Sequence, residues 1–135
     1  MRYLLDTNVC VVFLNGHSDT VRERLLSTSS NEIAVCSIVK AELFYGAMRS
    51  NKPNQTWKRQ QDFLRNFVSL PFEDEAAVVF GRVRAQLASA GMPIGPYDLQ
   101  IASIALANNL TLVTHNIREF QRVAVMQIED WETEN

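Results

Sequence analysis

Histidine, cysteine and glycine are scarce in this chain, and each scarcity removes a class of chemistry. Two histidines, His17 and His115, and two cysteines, Cys10 and Cys36, occur in 135 residues. The histidines show no ligand-type spacing, so no zinc site is written in the sequence. Cys10 and Cys36 both lie in apolar runs, the setting of reduced, buried thiols in a cytoplasmic protein. The five glycines form no glycine-rich phosphate loop, and there is no nucleophile elbow. No apolar segment approaches the roughly 20 residues needed to cross a bilayer. The first apolar run is too short for a signal peptide and is cut by Asp6, so no leader is expected. A surplus of one charge is lacking too: 13 basic against 15 acidic residues give a net charge of -2. Any nucleic-acid binding must therefore come from a local basic patch.

What is present reads as one α/β domain spanning residues 1–135. Hydrophobic residues make up 47% of the chain, enough for a core at this length. Short apolar runs at residues 3–5, 33–36, 68–70, 110–114 and 123–128 suit strands. Helical patterns separate them, at residues 9–14, 19–26, 38–47, 57–67, 73–90, 97–109 and 117–120. Thr7, Asn8 and Ser37 are good helix caps, residues 51–54 read as a loop, and Gly91 stops the longest helix. Trp57, Phe63, Leu64 and Phe67 form the apolar set of the fourth helix. Strands alternating with helices predict a twisted parallel sheet, centred on residues 3–5, 33–36 and 110–113, with helices on both faces. No internal repeat or linker divides it.

Most acidic residues, from Asp19 and Glu23 to Asp130, Glu132 and Glu134, fall on polar faces, helix starts or the tail, where solvation accounts for them. Asp6, Glu42 and Asp98 differ, because each interrupts an apolar context. Asp6 ends the first strand where a helix starts; as a plain helix cap it would need no other role. Glu42 sits among Val39, Ala41, Leu43 and Phe44. Asp98 opens the most apolar helix, whose macrodipole offsets part of the cost of its charge. Lys40 is the only cation inside these runs. Buried carboxylates without cations point to a divalent metal, and an all-oxygen ligand set favours Mg²⁺ or Mn²⁺. Such sites act on phosphodiesters.

Four motifs in order carry a family likeness. Leu5-Asp6-Thr7-Asn8, Ser37-Ile38-Val39-Lys40-Ala41-Glu42-Leu43, Gly95-Pro96-Tyr97-Asp98-Leu99-Gln100-Ile101-Ala102 and Leu112-Val113-Thr114-His115-Asn116-Ile117-Arg118-Glu119-Phe120 resemble those of PIN-domain ribonucleases. The likeness is greatest to VapC-type toxins of type II toxin–antitoxin pairs and runs to Glu129-Asp130-Trp131. It implies a three-layer PIN-like domain and carries the acidic metal ligands onto Asp6, Glu42 and Asp98. The family's fourth acidic position falls on Asn116, which adds no charge. Glu119 is near enough to act through water, or else to face Arg118 or Arg122. Thr7 and Thr114 could hold carboxylates or phosphate, or merely their own backbone.

The resemblance further implies Mg²⁺- or Mn²⁺-dependent cleavage of RNA in the bacterial cytoplasm, usually of tRNA. The Gly95–Asp98 loop and the tail are most similar to the branch that cuts the initiator tRNA anticodon stem-loop. RNA phosphates require cations near the site, for which Lys40, Arg49, Lys52, Arg82, Arg84 and Arg118 are available. The implied partners are a VapB-type antitoxin, whose C-terminal segment fills a groove of the first helices, and a second copy of the chain. Operator DNA would be met only through the antitoxin, and no membrane is involved. Val11, Val12, Phe13, Leu14 and Trp57 are apolar candidates for that groove. Two other readings stay open: a non-catalytic RNA- or protein-binding PIN module, favoured by Asn116, and a small-nucleotide hydrolase.

Overall fold

The computed structural model of the chain describes residues 1–133; Glu134 of the acidic tail lies outside them. The first apolar run forms β1 (Tyr3–Leu5), followed by α1 (Thr7–Leu14), α2 (Asp19–Ser27) and, after a short 3-10 turn, β2 (Ile33–Cys36). Next come α3 (Ser37–Arg49), α4 (Pro53–Leu64), β3 (Val68–Leu70) and α5 (Asp74–Ser89). The chain closes with α6 (Pro96–Ala107), β4 (Thr111–Val113), α7 (Ile117–Phe120) and β5 (Ile128–Glu129). The strands lie in the order β3-β2-β1-β4-β5, and every neighbouring pair is parallel. The expected parallel sheet flanked by helices is therefore present. Among the described residues no helix is long and apolar enough to cross a membrane.

Burial explains the sequence pattern. Leu4, Leu5, Ile33, Ala34, Val35, Leu112 and Val113 are sealed from solvent. Strands covered on both faces have no polar side to alternate with, so they appear as continuous apolar runs. α6 is apolar all round for the same reason, with Leu99, Ile101, Ala102, Ile104 and Ala105 buried. The chain leaves β1 to build β2 and β3 on one side, then returns to set β4 and β5 on the other. Where that order reverses, between the carboxyl ends of β1 and β4, a parallel sheet leaves a crevice for ligands.

Several element ends differ from expectation, each for a local reason. Asp6, not Thr7 or Asn8, caps α1, its side chain accepting from the Thr7 N–H. Ser37 begins α3 instead of capping it; Cys36 holds that place. α4 starts at Pro53, because proline suits the first helical position, where no amide hydrogen is needed. Its buried face is Gln60, Phe63 and Leu64, while Trp57 is 45% exposed. Gln60 is inside because its Nε2 donates to the Leu43 carbonyl, 2.9 Å away. The last strand is only Ile128–Glu129, since Val123 and Met126 make turn hydrogen bonds to Phe120 and Val123.

Three helices end in the same way. After α1, α5 and α6 the chain turns through Gly16, Gly91 and Asn109, all at positive φ, with paired backbone bonds closing the last turn. At Gly91 (φ +67) an added Cβ would meet nothing within 4 Å, so substitution acts through backbone conformation alone. Gly91→Ala is expected to cost about 1 kcal/mol, the left-handed penalty less the entropy removed from the unfolded chain. A urea titration checks this; an unchanged midpoint would contradict it.

Candidate active site

The crevice between β1 and β4 is lined by acid. β1 delivers Asp6 to its tip, where it is only 4% exposed. One carboxylate oxygen accepts from the Thr7 N–H at 2.8 Å; the other accepts from the Thr114 hydroxyl, also at 2.8 Å, at the end of β4. Asp6 therefore caps a helix and bridges two strands at once. Thr7 turns its own hydroxyl to Glu42, donating to Oε1 at 2.7 Å, so α1 and the second turn of α3 meet through that bond. Asp98 is in the first turn of α6, where Pro96 sets the helix going and a negative charge is favoured.

Glu119, on α7, completes the group. Its Oε1 accepts from the Gly95 N–H at 3.0 Å and its Oε2 from Asn116 Nδ2 at 3.1 Å. A Cβ added at Gly95 would stand 3.8 Å from both Asp98 Oδ2 and Glu119 Oε1, which places those oxygens around one glycine. Glu119 forms no ion pair with Arg118 or Arg122 among the described residues; Arg122 donates instead to the Pro93 carbonyl. Asn116 is spent on its neighbours, its N–H on the Thr114 hydroxyl and its amide on Glu119. Only the fold could reveal this, because Gly95 and Glu119 are 24 residues apart.

The electrostatics are those of crowded like charges. Burial raises the Asp6 pKa, opposed by the bonds from Thr114 and Thr7 and reinforced by Glu42 and Glu119. Asp98 is pushed up to about 7, first by burial, then by its hydrogen bond with Glu119 and the charges of Asp6, Glu119 and Glu42. For Glu119 burial acts upward, but the bonds from Gly95, Asp98 and Asn116 prevail and hold it below the usual range. Asp98 and Glu119 are thus driven in opposite directions, Asp98 upward and Glu119 downward. No lysine or arginine pairs with Asp6, Glu42 or Asp98 among the described residues. An all-carboxylate group that must take up a proton for want of a cation fits a divalent metal.

A tighter grouping of ligand atoms lies elsewhere. His115, Asp130 and Glu132 bring theirs within 4.8 Å of one another, although in sequence they show neither ligand spacing nor a motif. His115 Nδ1 is 2.9 Å from Asp130, whose largely buried carboxylate also accepts from the Glu132 N–H. That bond to Asp130 raises the His115 pKa. These contacts fasten the tail to the loop after β4.

The acidic crevice makes stability depend on pH. Asp98, raised from 3.8 to about 7, contributes stability that is whole below pH 3.8 and lost as pH rises through 7. Asp6, also raised, acts in the same direction, while lowered Glu119 acts in the opposite one below about its usual 4.5. Without metal, the urea midpoint is expected to fall between pH 5 and 8. After discounting for the half-exposed Asp98 the change is roughly 1–2 kcal/mol. Mg²⁺ or Mn²⁺ should restore it at pH 8; a midpoint that rises across this window would contradict the assignment.

The candidate cations are spread out. Lys40 is half-buried two residues before Glu42, and Arg118 is exposed beside Glu119. Arg82 and Arg84 are exposed on α5, and Lys52 is exposed ahead of α4. Arg49 stands over the Tyr45 ring, 5.4 Å from its centre, and Arg84 over Phe80 at 5.8 Å. None of the six forms an ion pair among the described residues.

Both sequence and fold have close counterparts. The PIN domain family profile matches residues 3–126. Ribonuclease VapC2 of Rickettsia felis is 41% identical over 133 residues, covering 98% of this chain and 99% of that one. The tRNA(fMet)-specific endonuclease VapC of Salmonella typhimurium is 36% identical over 131 residues, covering 97% and 98%. The crystal structure of DNA-bound VapBC from Salmonella typhimurium superposes with a TM-score of 0.92 at 37% identity, over 97% of this chain and 98% of that one. The match takes in every strand and helix that converges on the acidic crevice, and by it the chain belongs to the PIN-domain family and, within that family, to the VapC ribonucleases.

Proposed function

We propose that this chain is the toxin of a toxin–antitoxin pair, an endoribonuclease that hydrolyses tRNA with Mg²⁺ or Mn²⁺. The observation that carries the reading is the convergence of Asp6, Glu42 and Asp98, none of them in an ion pair among the described residues, with Glu119 at the switch point of the sheet. Asp6 and Asp98 would hold the metal, with Glu42 beside them and Glu119, Thr7 and Thr114 acting around them. Bound there, the ion supplies charge neutralisation at the phosphate and a more acidic water. The chain's own residues do the rest. Thr114 and the Thr7 N–H fix both oxygens of Asp6, and the Thr7 hydroxyl fixes Glu42. The Gly95 N–H and the Asn116 amide hold Glu119 in place beside Asp98.

The relative named for tRNA(fMet) supports the initiator tRNA as substrate; cleavage in its anticodon stem-loop and action in the cytoplasm are parts of the proposal. Lys40 and Arg118 are the cations nearest in sequence to the acids; Arg82 and Arg84 would meet more distant phosphates. A groove of about 230 Å³ between α1, α3 and α4 runs past Val11, Leu14, Gly46 and Gln60 to Thr7 and Glu42. An antitoxin segment seated in it would close the acidic crevice. The DNA-bound VapBC structures support a VapB-type partner; operator contact through that partner and a toxin homodimer belong to the same proposal. The binding-module reading loses its support once Glu119 supplies the charge that Asn116 lacks.

Incubation with total bacterial RNA, with and without Mg²⁺ or Mn²⁺, followed by mapping of the new ends, tests the proposal. Metal-dependent cuts in a tRNA anticodon loop are expected. Metal-independent cleavage, or intact RNA in every condition, would overturn it.

A further inference from the structure

We propose that Tyr45 and Tyr97 form a stacking site for one unpaired base of the RNA, beside the acidic crevice. The inference rests on the ribonuclease reading above and adds to it where the substrate is gripped. On α3, Ile38, Ala41 and Tyr45 recur at helical spacing and so share one stripe with Glu42. With Tyr97 at the start of α6 they line a hollow of about 450 Å³, within the roughly 300–1,000 Å³ typical of ligand sites.

Both rings are on the surface, Tyr45 63% and Tyr97 60% exposed. Core packing therefore explains neither of them, and no described hydrogen bond uses either hydroxyl. Their place is informative: Glu42 is part of the wall and Asp98 directly follows Tyr97, so the hollow continues into the acidic site.

Charge selects the occupant. The Arg49 guanidinium stands over the Tyr45 ring, 5.4 Å from its centre. An aromatic ring with a cation beside it matches a nucleotide, whose base stacks and whose phosphate is anionic. Unpaired RNA offers splayed bases to such platforms, and stacking on tyrosine is a usual means of holding them. A base lodged between the two tyrosines would bring the adjoining phosphodiester up to Glu42 and Asp98. Tyr45 and Tyr97 are then positioning residues, which set where the RNA lies without touching the bond that breaks.

The test uses the full chain and a tRNA anticodon stem-loop carrying 2-aminopurine in its loop. Fluorescence quenching is read by rapid mixing before cleavage, alongside steady-state kinetics. Tyr45→Ala and Tyr97→Ala are each expected to raise KM about tenfold, leave kcat unchanged and lose the quenching. Tyr45→Phe and Tyr97→Phe should restore both, because the ring and not the hydroxyl does the stacking. Unchanged KM and quenching in both alanine variants, with the parent still cleaving, overturn the stacking site and leave the ribonuclease reading intact. A parent that neither binds nor cuts the RNA overturns both. If the alanine variants instead sediment as monomers where the parent is a dimer, the hollow is a subunit contact and the assignment fails.

Discussion

Asp6→Asn is expected to reduce kcat/KM for RNA cleavage by at least several hundredfold while leaving the protein as stable as its parent, or more so. Asparagine is as good a helix cap as aspartate, so the bond from the Thr7 N–H survives. Its Nδ2 would donate to the Thr114 hydroxyl oxygen, which already accepts from the Asn116 N–H and has a second lone pair for the purpose. What disappears is the charge. Burial raises the Asp6 pKa, which means that folding works against the ionised form, and the neutral amide relieves that opposition. The same charge is what a divalent ion would require. Loss of a metal-binding carboxylate at the reacting centre removes several kcal/mol of transition-state stabilisation, and each 1.4 kcal/mol is about tenfold in rate. Paired cleavage assays and thermal melts check the two halves together. Cleavage within a few-fold of the parent would sink the metal assignment. A large loss of stability would show that Asp6 is needed as an anion for folding itself. Asp6→Ala separates the roles further, because it also removes the cap, worth about 1 kcal/mol.

Sequence reasoning located the sheet because strands buried on both faces must be apolar throughout. Residues 33–36 and 111–113 announced themselves in that way. Asp6, Glu42 and Asp98 stand out as well, since a charge inside an apolar run is visible without any fold. Glu119 was harder. It stands on one helical turn between Arg118 and Phe120, where an exposed ion pair is the ordinary outcome, and only the close approach of Gly95 draws it inward. Asp130 reads in sequence as a solvated tail residue, yet its side chain is largely buried against His115, 15 residues away. Both cases share a cause. Long-range hydrogen bonds from backbone N–H groups and a histidine leave no periodic trace in the sequence. Trp57 shows the opposite failure, an apolar residue on a regular stripe that the neighbouring helix does not reach.

Asn116 illustrates how the site and its neighbourhood exchange roles. Read as a neutral replacement for an acid, it suggested a weakened metal site. In the fold its amide donates to Glu119 and its N–H to Thr114, whose hydroxyl in turn holds Asp6. A short chain of bonds therefore runs from Glu119 through Asn116 and Thr114 to Asp6, linking α7, β4 and β1. An orienting residue stands at the position that the family resemblance marks for an acid, and an acid, Glu119, stands three positions later.

The largest stability effect is expected at the far end of the chain, from Trp131→Ala. Trp131 is buried and packs edge-on against Tyr3 of β1, with ring centres 5.1 Å apart. The Arg24 guanidinium covers its ring at 4.7 Å, and its Nε1 donates at 3.0 Å to Glu129, which also pairs with Arg24. One side chain thus joins the tail, α2, β5 and the strand that carries Asp6. Removing a buried tryptophan typically costs about 3–5 kcal/mol, a large part of the total stability of a domain this size. The melting temperature should fall by roughly 10–20 °C. Trp131→Phe keeps most of the packing but leaves the hydrogen bond to Glu129 unmade, for a loss nearer 1–2 kcal/mol. Because the partners of Trp131 include none of the crevice carboxylates, kcat well below the melting point should match the parent in both variants. A melting temperature unchanged in Trp131→Ala would mean that the tail is not integral to the fold, and the anchoring of His115 by Asp130 would lose its structural meaning with it.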